Sequence, residues 1–346
     1  MDFFKLVDKL ETDRILSKDE FVALIENREV VRNYITDKAV KIRQEHYSNK
    51  VYVRGLIEFS NYCKNDCYYC GIRRSNKNAS RYRLTKEDIL ECCKEGYTLG
   101  FRTFVLQGGE DNHFDDDTLC DIIKSIRTLY PDCAITISAG EKSRESYQRI
   151  FDAGANRYLL RHETANDEHY AKLHPESLTL KNRKRCLFDL KEIGFQTGSG
   201  FMVGSPFQTT ENLAEDLIFL AELKPQMVGI GPFIPHCDTP FSDKKAGDAE
   251  LVVFLLSVIR LMLPTALIPA TTALGTIAKD GRERGIMAGA NVIMPNLSPL
   301  NVRKKYLLYN DKISTGDEAA ESLNNLRLSM QKIGYEVVVD RGDFKE

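Results

Sequence analysis

Cys63, Cys67 and Cys70, in the run Asn61-Tyr-Cys-Lys-Asn-Asp-Cys-Tyr-Tyr-Cys, place three thiols in a C-x3-C-x2-C loop. Three thiolates at this spacing are the ligands of an iron–sulfur cluster, but a four-iron cluster takes four ligands, so one iron would keep an open position. An open position on a redox-active metal is a place for a small molecule to bind and react, as the vacant fourth position is in catalytic zinc sites. The competing reading is structural zinc, which is normally closed by a fourth Cys or His. The next histidine, His113, lies too far along the chain to complete a finger.

From Val51 onward the chain repeats one unit: a short apolar run ending in polar or Gly residues, a loop, and a segment of helical period. The eight runs are Val51 to Ser60, Thr103 to Glu110, Ala134 to Gly140, Arg157 to Glu163, Gln196 to Gly204, Met227 to His236, Ile268 to Leu274 and Ala290 to Asn296. Strands alternating with helices, with no dinucleotide fingerprint after the first, predict an α/β fold of the (β/α)8 barrel type. Reacting groups in such barrels sit at the C-terminal ends of the strands, and these ends are polar here. The first run leads straight into the cysteine loop. The second ends in Gln107, Gly108, Gly109 and Glu110, where paired glycines allow close backbone approach to a ligand; the bland reading is an ordinary turn. The third carries Thr136 and Ser138. In the fourth, alternation puts Arg161 and Glu163 on one face and His162 on the other. Charges inside a barrel are costly unless paired or ligand-bound, so an Arg161–Glu163 pair is the structural alternative to ligand binding. Thr271, Thr272, Met294 and Asn296 end the last two runs, and His236 reads as structural.

Between the runs, Thr85 with Asp88 and Ser17 with Glu20 form capping-box patterns, and Asp248 can cap a helix that stops before Pro264. Leu213, Leu217 and Leu220 recur at helical spacing. The expected organisation is a helical N-terminal extension over residues 1–50 that plugs or covers the barrel, the barrel over 51–300, and a C-terminal extension over 301–346 that closes it. That extension should hold a helix from Asp317 to Lys332 and a short apolar segment from Glu336 to Val339.

The 346 residues are 42% apolar, enough for one large core, and 48 Lys plus Arg stand against 50 Asp plus Glu. Without a basic excess, nucleic acid is not an expected partner. The longest apolar stretch, Leu251 to Leu263, is broken by Ser257 and Arg260 and is shorter than the ~20 residues of a membrane span. No secretory signal is visible at Met1-Asp-Phe-Phe-Lys, so a cytoplasmic enzyme is expected, with its nine cysteines ligating metal or simply buried.

With Tyr69 as its aromatic, the C-x3-C-x-aromatic-C loop resembles the signature of the radical S-adenosylmethionine (SAM) superfamily. That resemblance implies one 4Fe-4S cluster on Cys63, Cys67 and Cys70, SAM chelating the open iron, and a 5'-deoxyadenosyl radical. Gln107 to Glu110 resembles the motif that holds the amino group of SAM. Tyr69, Thr136, Ser138, Glu163 at the ribose and Arg183 at the carboxylate complete the implied cofactor set. The longer strings Arg161-His-Glu-Thr-Ala-Asn, Gly229-Ile-Gly-Pro-Phe-Ile-Pro-His, Pro269-Ala-Thr-Thr-Ala and Ala290-Asn-Val-Ile-Met-Pro-Asn resemble the HydE-type FeFe-hydrogenase maturases over nearly the whole barrel. This implies a substrate cavity lined by Arg54, Gln107, Arg161, Thr271, Thr272, Met294 and Tyr306, and a small cysteine-bound iron carbonyl cyanide substrate. A reductant such as ferredoxin or flavodoxin and other hydrogenase maturases are the implied partners.

Some members carry C-terminal cysteines for a second cluster. This chain reads Lys312-Ile-Ser-Thr-Gly-Asp and has no Cys after Cys237, so no second cluster is expected. A biotin-synthase-like enzyme would need inward cysteines on later strands, which are lacking. A radical mutase of the pyrrolysine-biosynthesis type, and a non-catalytic iron–sulfur scaffold or sensor, remain as alternatives.

Overall fold

The computed structural model describes residues 1–313 and 319–345. Its strands are β1 (Lys50–Val53), β2 (Gly55–Ser60), β3 (Thr103–Gly108), β4 (Ala134–Ser138), β5 (Arg157–Leu159), β6 (Gln196–Ser199), β7 (Met202–Val203), β8 (Met227–Val228), β9 (Gly231–Pro232), β10 (Val292–Ile293) and β11 (Glu336–Val338). All pairings are parallel, in the order β2-β3-β4-β5-β6-β8. Single bridges Met227 to Leu267 and Pro269 to Val292, then β10 on β1, close the ring. The fold is the expected (β/α)8 barrel.

Several runs differ from continuous strands. The first is split into β1 and β2 at Arg54, and the fourth pairs as a strand only as far as Leu159. The run Ile268 to Leu274 is not a strand: Pro269 has no N–H to give a ladder, and Thr271 instead caps the helix Thr272–Ile277 by accepting from Leu274 N at 3.3 Å. The fifth and sixth runs each break, at Gly200 and Gly229. An added Cβ on Gly200 would stand 2.0 Å from the Gly229 carbonyl oxygen, so the two chains cross there at a distance only glycine permits. Beyond the break, β7 and β9 pair separately and raise the barrel rim.

Both expected capping boxes are present, at Ser17 and Thr85, and Asp248 caps the helix Ala249–Met262. Ser257 and Arg260, the polar residues in that apolar helix, are fully buried. Arg260 donates to the carbonyls of Gly289, Pro264 and Ala266, each at 2.8 Å, and so satisfies groups at the helix end. Among the described residues no helix is long and apolar enough to cross a membrane.

The helices Phe3–Asp13, Lys18–Glu26 and Arg28–Tyr47 do not plug the barrel but cover its flank, against Ala249–Met262 and Thr210–Leu223. It is the other terminus that enters the barrel's N-terminal end. β11 pairs with β1, and the buried Arg157 guanidinium holds the chain beyond it through Arg341 O (3.0 Å), Gly342 O (3.1 Å) and Asp343 Oδ1 (2.7 Å). The C-terminal helix is Ala319–Lys332; its expected start at Asp317 falls outside the described residues.

Candidate active site at the barrel mouth

β2 delivers the chain at Ser60 into the cysteine loop, which is held by a dense set of backbone bonds. Arg81 donates to the carbonyls of Asn61, Ile72, Arg73 and Asn76, while Asp66 accepts from Arg73 Nε at 2.7 Å and Ser75 N at 3.0 Å. Burial pushes the Cys67 and Cys70 thiols up, Cys70 to about 12. Free thiols of that kind are poor nucleophiles at neutral pH, and a bound cation would be needed to hold them as thiolates. Among the described residues only His236, Cys237 and Asp238 bring three such ligand atoms within 4.8 Å of one another. The three loop thiols thus do not all lie within 4.8 Å of one another.

Next to the loop, β3 ends in the two glycines. A Cβ on Gly109 would lie 2.1 Å from Tyr62 O, so only glycine lets this turn press against the cysteine loop. Glu110 Oε1 accepts from Glu141 N at 2.9 Å, and its Oε2 lies 3.4 Å from Lys64 Nζ, buried and without a hydrogen bond. Gly140, at φ 76°, faces this carboxylate; an added Cβ would sit 1.9 Å from Glu110 Cγ. Gly140→Ala, which adds a Cβ at positive φ against the Glu110 carboxylate, is expected to cost more than about 1 kcal/mol of stability. A thermal melt against the parent checks this.

Arg161 and Glu163 do share a side, with Arg161 Nη2 3.0 Å from Glu163 Oε2, but beyond the end of the strand at Leu159 it is the turn at Glu163 and not strand alternation that brings them together. Neither Arg161 Nε and Nη2 nor Glu163 Oε2 has a hydrogen-bond partner, and Thr136 Oγ1 and Tyr170 Oη are equally buried and unpartnered. Arg161 and Glu163 thus form an ion pair without a well-aligned hydrogen bond, and Thr136 and Tyr170 offer buried hydroxyls free for a further partner. Glu163 sits at φ 66°, a strained conformation for a residue other than glycine. Arg183 gives Nε to Glu141 Oε1 at 2.6 Å and Nη1 to Arg161 O at 3.0 Å, so only the end of its fork faces a ligand. Ser138 ends β4, half-buried, beside Gln107 in register. His162, on the opposite face, meets Ser199 Oγ at 2.9 Å and Asp216 Oδ1 at 3.4 Å with all three fully buried. Burial lowers the imidazole pKa and raises that of the carboxyl, leaving a neutral pair that braces the loop from behind.

The cavity residues fall in two layers. Near the mouth, Gln107 Nε2 lies 3.4 Å from Tyr306 Oη. Thr271 and Thr272 open the helix Thr272–Ile277. Deeper, Arg54 lies near Arg157, and Met294 packs against the buried cluster of Tyr47, Tyr52, Met227, Leu267 and Val292. Arg54 Nη1 is 3.0 Å from Met227 Sδ, while its Nε and Nη2 are buried without partners.

Sequence reasoning missed three partners. Tyr69 Oη is 3.1 Å from His174 Nε2, whose Nδ1 lies 3.0 Å from Tyr170 O, which locks the aromatic of the cysteine loop. Asp216, in an amphipathic helix, gave no signal beyond ordinary polarity. The third is a buried ion pair between Glu58 of β2 and Lys312, with Asn296 Nδ2 2.9 Å from Glu58 Oε2 and Lys312 Nζ 3.0 Å from Tyr306 O.

Burial drives the His174 pKa down to about 3. Below its unfolded value of about 6.5 the unfolded chain takes up a proton that the folded chain refuses. Stability is thus intact above pH ~6.5 and falls as pH drops toward 3, by at most about 1.4 kcal/mol per pH unit from this group. Thermal melts across that window should show a shallower acid slope for His174→Gln than for the parent.

The model of the "Radical SAM superfamily" matches residues 57–220. The chain is 45% identical over 309 residues, 89% of its length and 88% of the relative's, to the [FeFe] hydrogenase maturase subunit HydE of Thermotoga maritima. This chain belongs to the HydE family of radical SAM enzymes. It is also 32% identical over 308 residues to the 3-methylornithine synthase of Methanosarcina barkeri, covering 86% of this chain and 84% of that one. The solved structure of methylornithine synthase (PylB) superposes with a TM-score of 0.82 at 26% identity, over 96% of this chain and 97% of that one. Membership of the superfamily brings with it a four-iron cluster and SAM.

Proposed function

We propose that this enzyme serves maturation of the FeFe-hydrogenase active site, acting on a small cysteine-bound iron carbonyl cyanide precursor of the diiron subcluster. The 45% identity to a HydE maturase carries the reading. When bound, one cluster on Cys63, Cys67 and Cys70 and its SAM supply reductive cleavage of the sulfonium to a 5'-deoxyadenosyl radical. The chain does the rest by placement and exclusion of water. Gly108, Gly109 and Glu110 receive the amino group of SAM, and the outer end of Arg183 its carboxylate. Glu163 takes the ribose hydroxyls, and Gln107, Thr136 and Ser138 offer further polar contacts from β3 and β4. Tyr69, held by His174, shields the loop.

The buried Arg54 guanidinium low in the barrel, with Nε and Nη2 unpartnered, favours an anionic substrate, since an uncompensated buried charge is costly. Thr271, Thr272, Met294 and Tyr306 complete that chamber. A ferredoxin or flavodoxin supplies the electron, and other maturases take the product.

Anaerobic protein with its cluster, given dithionite and SAM, should form 5'-deoxyadenosine, and should restore hydrogenase activity to a maturation mixture lacking its HydE. The likeness to 3-methylornithine synthases supports a second reading, a radical mutase. Formation of 3-methylornithine from free amino acids, with no rescue of the hydrogenase, would replace the first reading by the second.

A further inference from the structure

The turn after β9 gathers a second set of metal-type ligands outside the barrel. One ligand atom each from His236, Cys237 and Asp238 lies within 4.8 Å of the other two. Cys237 Sγ stands 3.9 Å from His236 Nδ1, against about 3.5 Å for sulfur and nitrogen on one tetrahedral zinc, so closure needs a shift of only a few tenths of an ångström.

The surroundings hold each ligand in place. The turn is closed by Thr239 N and Thr239 Oγ1, which donate to His236 O at 3.1 and 2.8 Å. The His236 ring is buried against the cluster loop, where a Cβ on Gly71 would be 2.4 Å from its Cδ2. Nδ1 faces into the turn and accepts from Asp238 N at 3.1 Å, a bond that a cation would replace in taking the same lone pair. Asn78 Nδ2 orients the Asp238 carboxylate at 2.7 Å, and Asn310 Oδ1 accepts from Cys237 N at 3.1 Å. Metal ligands are characteristically held by such outer hydrogen bonds. The Cys237 side is exposed and opens on a cleft of about 410 Å³ between the cluster loop and residues 304–311, with room for an ion and its water.

We propose that His236, Cys237 and Asp238 bind one borderline divalent cation of the Zn(II) class, separate from the cluster, with water in the fourth position. A thiolate and an imidazole with a single carboxylate suit Zn(II) and not Ca²⁺ or Mg²⁺, which take oxygen ligands.

The test uses protein with its cluster loaded, freed of loose metal and titrated with Zn(II) against a chromophoric chelator, then with Co(II). One equivalent beyond the cluster iron is expected, and Co(II) should show a thiolate charge-transfer band. Cys237→Ser, at an exposed position, should lose both, and Asp238→Asn should weaken Zn(II) binding on the order of tenfold. Equal Zn(II) binding by the parent and Cys237→Ser, or no extra equivalent in the parent, overturns the site. If the loop takes no cluster, which sinks only the cluster assignment, the same comparison in a chain carrying Cys63→Ala, Cys67→Ala and Cys70→Ala decides it.

Discussion

Cys67→Ala is expected to bring the cluster content from about four irons per chain to a small residue, and 5'-deoxyadenosine formation below detection. Cys67 and Cys70 are pressed into a desolvated loop, where burial raises both pKa values first, with Cys70 adding to that of Cys67 and Cys63 to that of Cys70. Two remaining thiols offer too few ligands to hold a cluster whose fourth iron must stay open for SAM. The loss should not come from unfolding. Arg81, Asp66 and Asn61 pin the loop through backbone groups that the substitution leaves alone, Asn61 Nδ2 alone reaching Ser80 O at 2.9 Å and Lys305 O at 2.7 Å. Iron analysis, the visible spectrum and a melting curve, measured together, separate loss of cluster from loss of fold. Cys237→Ser serves as the control and should keep cluster and cleavage. Cleavage persisting in Cys67→Ala would remove the cluster assignment altogether.

Lys312→Met should be the most destabilising single change near the mouth. The Lys312 and Glu58 side chains are 6% and 1% exposed, so neither charge has solvent to fall back on. Breaking a buried pair from one side costs about 3 kcal/mol or more, a drop in Tm on the order of 6 °C for a chain of this size. Asn296 would still donate to the carboxylate but cannot neutralise it. Lys312 also ends the strap that crosses the mouth: Gly71 N donates to Leu308 O at 2.9 Å, Asn310 N to Pro235 O at 3.1 Å and Ile313 N to Thr276 Oγ1 at 3.4 Å. The double variant Glu58→Gln with Lys312→Met removes both charges and should recover most of the lost stability, because the dominant cost is the stranded carboxylate and not the missing attraction. A double variant no better than Lys312→Met would show that packing of the strap, and not charge, supplies the effect.

Much of the architecture was legible because it depends on short-range patterns. Apolar runs alternating with helical segments gave the barrel, Ser17, Thr85 and Asp248 marked helix starts, and the position of polar groups at run ends located the mouth. Strand lengths were not legible. Whether a segment near Pro269 or Gly229 ladders with a neighbour depends on which backbone faces it, and Gly200 against Gly229 is a contact between segments almost thirty residues apart. The fate of the termini was also hidden: helical period predicts the N-terminal helices but not the flank they cover. Nothing local marks Arg157 as the anchor that draws the C-terminal residues into the barrel end.

By itself, then, the amino-acid order determined the kind of chemistry and its broad location. Ligand type and spacing in the cysteine loop and the glycine pair before Glu110 are properties of covalent sequence. Tertiary structure alone decided the partners. Lys312 meets Glu58 across 254 positions, His174 reaches Tyr69 across 105, and the orphaned N–H groups of Arg54 exist only because the closed barrel removes water from them. Charge and hydrogen-bond demands become specific when burial strips solvent away, and burial is a property of the assembled chain.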